Sequence, residues 1–136
     1  MLIYVHVPFC RTRCRYCAFF SSPLGRGVDP AASPAVTAYA DTLFLELAHW
    51  GDRLGGSEVE SVFFGGGTPS LLPPRLVGLI LERIGKYFHL APRAEITLEA
   101  NPESLRGGHR AAQYLTAGVN RLSLGVQSMD ETMLRV

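Results

Sequence analysis

The stretch EVESVFFGGGTPSLLPPRLVGLILERIGKYF, Glu58 to Phe88, decides the fold because it contains one complete strand–loop–helix unit. Its first seven residues, EVESVFF, are typical of a β-strand, and GGGTPS predicts a sharp loop directly after that strand. The segment 74–88 predicts an amphipathic helix. The apolar residues expected on one side of this helix are Leu76, Leu79, Ile80, Ile84 and Tyr87. A strand that leads directly into such a helix is the repeating unit of a parallel α/β sheet.

The same unit precedes this stretch. Residues 2–7, LIYVHV, predict a short strand buried on both faces, which Pro8 would end. Ser33-Pro34 then predicts the start of a helix, and Gly51 its end. The apolar residues at helical spacing in this segment are Val36, Tyr39, Leu43, Leu47 and Trp50.

Two further strands follow the central unit. The segment 94–100, AEITLEA, predicts a third strand, and 119–126, VNRLSLGV, predicts a fourth, with a helix around 110–117 between them. Ser128 or Asp130 predicts the start of another helix that runs to the last residue, Val136. This alternation predicts an α/β protein with a parallel sheet and right-handed crossovers. Closing an α/β barrel usually takes more than about 200 residues, so we interpret the sequence as part of a longer chain.

Composition excludes several classes of function. The chain has 136 residues, of which 13 are basic and 12 are acidic, so a net charge of +1 gives no general attraction to nucleic acid. Hydrophobic residues make up 47% of the chain, yet no apolar run approaches the roughly 18 to 20 residues of a membrane span. The first residues lack the pattern of a secretory signal. We therefore expect a cytoplasmic protein whose partners are small molecules or other proteins, in a compartment that keeps thiols reduced.

Polar clusters follow each predicted strand. The cysteines come after the first strand, GGGTPS after the second, Glu99 and Asn101 at the end of the third, and Gln127 after the fourth. Parallel α/β sheets place their functional sites at the carboxyl edge of the strands. The sequence therefore predicts that these clusters meet in one pocket.

The cysteines Cys10, Cys14 and Cys17 have the spacing C-x3-C-x2-C and are the only cysteines in the chain. An odd, tightly spaced set is a poor disulfide scheme. Three thiolates can hold three irons of a 4Fe-4S cluster and leave the fourth iron open to another ligand. Two alternatives remain at this point: a zinc site completed by His6, and a redox-active thiol pair with one bystander.

Three other polar features carry weaker signals. The triple glycine Gly65–Gly67 with Thr68 would let the backbone approach a ligand and expose its N–H groups, or it is only a tight turn; no Lys-Ser/Thr follows, so it is not a phosphate loop. Glu99 lies in an apolar strand, where a carboxylate needs a partner or a ligand unless it is exposed at the strand end. Gln127 contacts a ligand or bonds to the nearby backbone.

Together these segments resemble the radical S-adenosylmethionine (SAM) enzymes, and more narrowly the oxygen-independent coproporphyrinogen oxidases and HemW-type haem chaperones. The segments that carry the resemblance are YVHVPFCRTRCRYC, VFFGGGTPSLL, LEANPES and GVNRLSLGVQS. The resemblance implies a partial (β/α) barrel, truncated after about four strands. Residues 1–136 would then be the N-terminal part of the radical SAM core domain, without the remainder of the barrel or the C-terminal domain.

The resemblance also implies roles for individual residues. Cys10, Cys14 and Cys17 correspond to ligands of a 4Fe-4S cluster, with SAM on the open iron. Residues corresponding to SAM contacts are Gly66, Gly67 and Thr68 for the methionyl group, Glu99 for a ribose hydroxyl, Gln127, and the aromatic positions Tyr4 and Tyr16 around cluster and SAM. The implied chemistry is reductive cleavage of SAM to methionine and a 5'-deoxyadenosyl radical. The apolar Phe9, Phe19 and Phe20 would keep water from such a radical.

Phe19 separates two functions within this group. The porphyrinogen-oxidising members have a further cysteine where this sequence has Phe19, whereas the haem chaperones lack it. We therefore favour a haem chaperone that transfers haem to acceptor proteins over a coproporphyrinogen oxidase or a haem-modifying enzyme. An electron donor would be a further partner, and plain core packing would also explain Phe19. Haem is a candidate cofactor without an assigned site, for which His6, His49, His89 and His109 are candidates by residue type only.

Overall fold

The computed structural model describes residues 1–130 and 132–133. Its strands are β1 (Leu2–Val7), β2 (Phe9–Cys10), β3 (Ser22–Pro23), β4 (Glu58–Gly66), β5 (His89–Ala100) and β6 (Arg121–Leu124). Four of these form one sheet in the order β1-β4-β5-β6, and every neighbouring pair is parallel. The predicted α/β class with a parallel sheet in sequence order is confirmed. Within the described residues the sheet does not close, which is consistent with part of a barrel.

Three helices connect the strands of this sheet. They are α1 (Pro34–Leu54), α2 (Pro74–Tyr87) and α3 (His109–Thr116). The predicted end of α1 at Gly51 is wrong, because the helix continues to Leu54. A Cβ atom at Gly51 would lie 2.7 Å from the Cβ of Tyr87, at the end of α2. This glycine therefore permits close contact between two helices instead of ending one of them.

The hydrophobic core lies between the helices and one face of the sheet. Its fully buried strand residues include Val7, Val62, Phe64 and Leu98. The buried residues of α2 are Val77, Ile80, Leu81 and Ile84. The helix face predicted from the sequence is thus displaced, since Leu79 is 39% exposed. Each such buried side chain contributes roughly 1.5 to 3 kcal/mol to the free energy of folding.

The opposite face of the sheet is open among the described residues. Leu2 and Tyr4 on β1 are 62% and 51% exposed, so the prediction that this strand is buried on both faces is wrong. Burial alternates along β1 because, among the described residues, the hydrophobic core packs against only one face of the sheet. β6 is shorter than the predicted strand, and all four of its residues are exposed.

The helix predicted from Ser128 or Asp130 to Val136 depends on residues 131 and 134–136, which lie outside the described part of the chain. Among the helices that the structure describes, none has the length and apolar character that crossing a membrane would require.

Replacing Tyr114 with phenylalanine should lower the free energy of unfolding by about 1 to 2 kcal/mol. Tyr114 is fully buried, and its hydroxyl donates to the carbonyl oxygens of Ser70 (2.7 Å) and Leu72 (2.8 Å). Burial also raises the pKa of Tyr114. Urea denaturation of the variant measures the loss. The matched control is Tyr87→Phe, since the Tyr87 hydroxyl makes no hydrogen bond within the described residues. Equal losses in both variants would contradict the prediction.

Candidate functional site

A cleft of about 700 Å³ runs along the carboxyl edge of the sheet. Cys10, Gly67, Glu99 and Gln127 all line it, although they lie at or just after the carboxyl ends of four different strands of the sheet. The predicted meeting of the polar clusters in one pocket is therefore confirmed as a matter of position. The ligands and roles of these residues remain predictions.

The cysteine loop, defined here as residues 11–21, is fixed at both ends. The two-residue strands β2 and β3, which the sequence did not predict, pair with each other across it. At the carboxyl end, the carbonyl oxygen of Phe20 lies 3.0 Å from His6 Nε2. A carbonyl oxygen only accepts, so Nε2 carries the proton and Nδ1 accepts from the hydroxyl of Tyr4 at 3.3 Å. Both ring nitrogens of His6 are therefore occupied, which disfavours His6 as a zinc ligand.

The three thiols are free, with Cys14 exposed and Cys10 and Cys17 half-buried. The backbone N–H of Cys17 donates to the carbonyl oxygen of Cys14 at 3.2 Å, which forms a turn between them. Within residues 1–130 and 132–133, no three His, Cys, Asp or Glu side chains are gathered closely enough to hold a metal ion. The donor set nevertheless fits a thiolate-bound cluster with one open position.

Tyr16 lies on the same loop and lines the cleft with an exposed side chain. A hydrogen bond with Cys14, followed by the charge of the Cys14 thiolate, raises the pKa of Tyr16. The tyrosine therefore lies beside a thiol of the predicted ligand set.

The glycine segment lies directly against the cysteine strand. A Cβ atom at Gly67 would lie 2.6 Å from the carbonyl oxygen of Phe9 and 3.0 Å from the Sγ of Cys10. The Thr68 hydroxyl also lies 3.7 Å from this Sγ. Only glycine permits this approach, so the segment holds the first thiol beside the cleft.

The expectation that this segment exposes free N–H groups is wrong. The N–H of Gly66 donates to Glu99 Oε2 at 3.2 Å, that of Gly67 to the carbonyl oxygen of Val7 at 2.8 Å, and that of Thr68 to Phe9 at 2.7 Å. Because these donors are already used within the protein, ligand contacts from this segment have to come from carbonyl oxygens, Cα atoms or the threonine side chain.

Glu99 is half-buried and joins two strands of the site. Its bond to the Gly66 amide supplies the partner that a carboxylate in an apolar strand requires. Burial, and secondarily the charge of Glu99, raises the pKa of Tyr4. Tyr4 itself does not line the cleft; its ring stacks on Phe63 on the open face of the sheet, with the centroids 6.1 Å apart.

Gln127 lies at the far end of the cleft, exposed and with a φ of 65°, in the left-handed region that non-glycine residues seldom adopt. Phe9 is buried, whereas Phe19 and Phe20 are 66% and 80% exposed. The expected apolar shield of three phenylalanines is thus not formed by the described residues.

Sequence reasoning missed a polar network that joins the loops after β4 and β5. The hydroxyls of Ser70 and Ser104 are hydrogen-bonded, and the N–H of Asn101 donates to Ser70 Oγ at 3.3 Å. Arg110 extends from α3 to the carbonyl oxygens of residues 70–72 at 3.4 to 3.5 Å. No sequence signal distinguishes Arg110 from an ordinary exposed helix arginine, so only the structure identifies it.

Comparison with known proteins agrees with this arrangement. Residues 4–136 match the Radical SAM superfamily. The chain is 46% identical over 134 residues to the radical S-adenosyl methionine domain-containing protein 1, mitochondrial, of Bos taurus, covering 98% of this chain and 28% of that protein. It is 39% identical over 133 residues to the heme chaperone HemW of Escherichia coli K12, covering 98% of this chain and 33% of that protein.

The structure resembles the coproporphyrinogen III oxidase HemN of Escherichia coli, described as a radical SAM enzyme. The TM-score is 0.81 at 28% sequence identity, and the match covers 98% of this chain and 30% of that one. The chain therefore spans about a third or less of the length of these relatives.

Proposed function

Because the chain belongs to the Radical SAM superfamily, we propose that Cys10, Cys14 and Cys17 bind a 4Fe-4S cluster and that SAM occupies the adjoining cleft. The observation that supports this most directly is the contact of the glycine segment with Cys10, which brings the SAM-binding motif and the first thiol to one edge. From the resemblance of its motifs we also propose that residues 1–136 form the N-terminal part of the radical SAM core domain.

The bound cluster and SAM would supply a one-electron reduction of the SAM sulfonium. The chain's own residues would bind SAM and orient it toward the cluster. Thr68 would contact the methionyl group, Glu99 would accept a hydrogen bond from a ribose hydroxyl, and Gln127 would be a further SAM contact; all three line the cleft. His6 and Tyr4 hold the end of the cysteine loop in position.

The natural protein is a haem chaperone that binds haem and transfers it to acceptor proteins. The chain is 39% identical to a heme chaperone and 37% identical to an oxygen-independent coproporphyrinogen III oxidase, so identity alone does not favour either function. The support for the chaperone is Phe19, which stands where the oxidases have a cysteine. The structural likeness to HemN favours a second candidate, oxygen-independent coproporphyrinogen oxidation. Phe19 lines the cleft, so the difference falls within the site itself.

The deciding experiment uses the natural full-length protein loaded with cluster, SAM and reductant. One reaction contains haem and an apo-acceptor protein, and the other contains coproporphyrinogen. We expect stable haem binding and transfer, and no protoporphyrinogen, because the oxidase cysteine is absent. Absorbance of the haem-loaded acceptor and chromatography of the porphyrins measure the two outcomes. Turnover of coproporphyrinogen would establish the oxidase instead.

Replacing Glu99 with glutamine should weaken SAM binding about tenfold, because a charge-assisted hydrogen bond to the ribose becomes a neutral one. Equilibrium binding of SAM to the cluster-loaded protein measures the change. Glu95→Gln is the matched control, since Glu95 lies on the same strand but pairs with the exposed Arg121 at 2.7 Å. Unchanged SAM affinity in Glu99→Gln would show that this carboxylate does not contact SAM.

A further inference from the structure

A second cavity of about 790 Å³ adjoins the cysteine side of the cleft. Three arginines, Arg11, Arg26 and Arg110, line it together with Asp29 and Glu103. We call this cavity the arginine pocket. It shares Arg11 and Arg110 with the cleft, so the two spaces are continuous at these side chains.

The positive charge of the arginine pocket is not neutralised by direct ion pairs. The ion pairs found among the described residues join the amino terminus to Glu60 and Arg121 to Glu95, and neither involves this cavity. One of the two acidic side chains has another role, because Asp29 Oδ1 accepts from the N–H of Ala31 at 2.9 Å. Three guanidinium groups therefore face one cavity without a carboxylate bound to any of them.

Backbone carbonyl oxygens hold two of these arginines in place. Arg11 donates through Nη1 to the carbonyl of Val28, and Arg110 donates through Nη2 to the carbonyls of residues 70–72. Carbonyl partners orient a guanidinium without cancelling its charge, and each guanidinium has five N–H donors. Oriented guanidinium groups that are not ion-paired are suited to bind carboxylates in bidentate geometry.

We propose that the arginine pocket binds the carboxylate side chains of a tetrapyrrole while its macrocycle lies toward the cleft. This inference rests on the proposed function and assigns a subsite to it. A porphyrin with free propionates offers carboxylates at one margin of an apolar ring. Those carboxylates match the arginines, and the ring is left on the side of Phe19, which is exposed in the cleft.

The test uses Arg26→Glu in the natural full-length protein, because Arg26 is exposed and makes no hydrogen bond within the described residues, so the variant should fold. The probes are mesoporphyrin and its dimethyl ester, with binding followed by fluorescence. We expect the wild type to prefer the diacid, and the variant to bind the diacid about tenfold more weakly while its affinity for the ester is unchanged. Arg75→Glu, an exposed arginine at the start of α2, is the control and should behave as wild type.

Two results would contradict the proposed role of the arginine pocket without affecting the proposed haem function. One is equal binding of diacid and ester by the wild type, and the other is normal binding of the diacid by Arg26→Glu. Loss of SAM affinity in Arg26→Glu with unchanged porphyrin binding assigns the pocket to the carboxylate of SAM and also overturns the proposal. Failure of the wild-type protein to bind either porphyrin or haem overturns the proposed function together with this inference.

Discussion

Replacing Cys14 with alanine should remove the iron–sulfur cluster entirely from the anaerobically reconstituted natural protein. The chain has only three cysteines, so two thiolates would remain for a cluster that needs three. His6 is not available to substitute, since its ring nitrogens are hydrogen-bonded to the Phe20 carbonyl oxygen and the Tyr4 hydroxyl. Iron and sulfide analysis together with EPR of the reduced protein measures the loss, which should extend to SAM cleavage.

Thr12→Ser is the control, because Thr12 lies in the same loop and carries no metal-binding atom of comparable affinity. It should retain the full iron and sulfide content. Native protein that contains stoichiometric zinc and no iron would refute the cluster and would indicate that the three thiols form a zinc site.

Replacing Gly67 with alanine should destabilise the protein by about 2 kcal/mol and impair cluster loading. The new methyl group would lie 2.6 Å from a backbone carbonyl oxygen and 3.0 Å from the Sγ of Cys10. A backbone atom cannot rotate away as a flexible side chain does, so β2 has to shift, and Cys10 shifts with it. Chemical denaturation measures the stability, and iron content after reconstitution measures the displacement of the thiol.

Gly85→Ala is the matched control for this substitution. Gly85 lies within α2, and a Cβ atom there meets no other atom within 4 Å. Alanine at that position should stabilise the protein by roughly 0.5 to 1 kcal/mol, because helical glycine is entropically costly. A Gly67→Ala variant as stable as wild type and fully loaded with cluster would show that the close contact does not matter.

The parallel sheet was predictable from the sequence because its signals are local. Strand composition, a loop and a helix period repeat along the chain, and their order dictates which strand ends share an edge. The position of Cys10, Glu99 and Gln127 along one cleft followed from that order alone. Local signals were therefore sufficient for the fold and for the location of the site.

Contacts between distant segments were not predictable in this way. Gly51 has the local signature of a helix end, but its role depends on Tyr87 in another helix. The sequence predicted exposed N–H groups in the glycine segment, but Val7, Phe9 and Glu99 accept hydrogen bonds from them. Each error concerns a partner that is remote in sequence, for which a single sequence carries no signal.

Because hydrogen bonds fix both ends of the cysteine loop, we expect the chain to fold independently of metal binding. The bonds from Ser22 to Pro8 and from Leu24 to Cys10 close the loop without any contribution from a metal. The hydrophobic core includes Phe9 beside the loop but none of the three cysteines. In small zinc domains the metal supplies the folding energy, whereas here we expect the apoprotein to keep its sheet. Oxidative loss of the cluster would then be reversible, because the folded apoprotein can bind a new cluster without refolding.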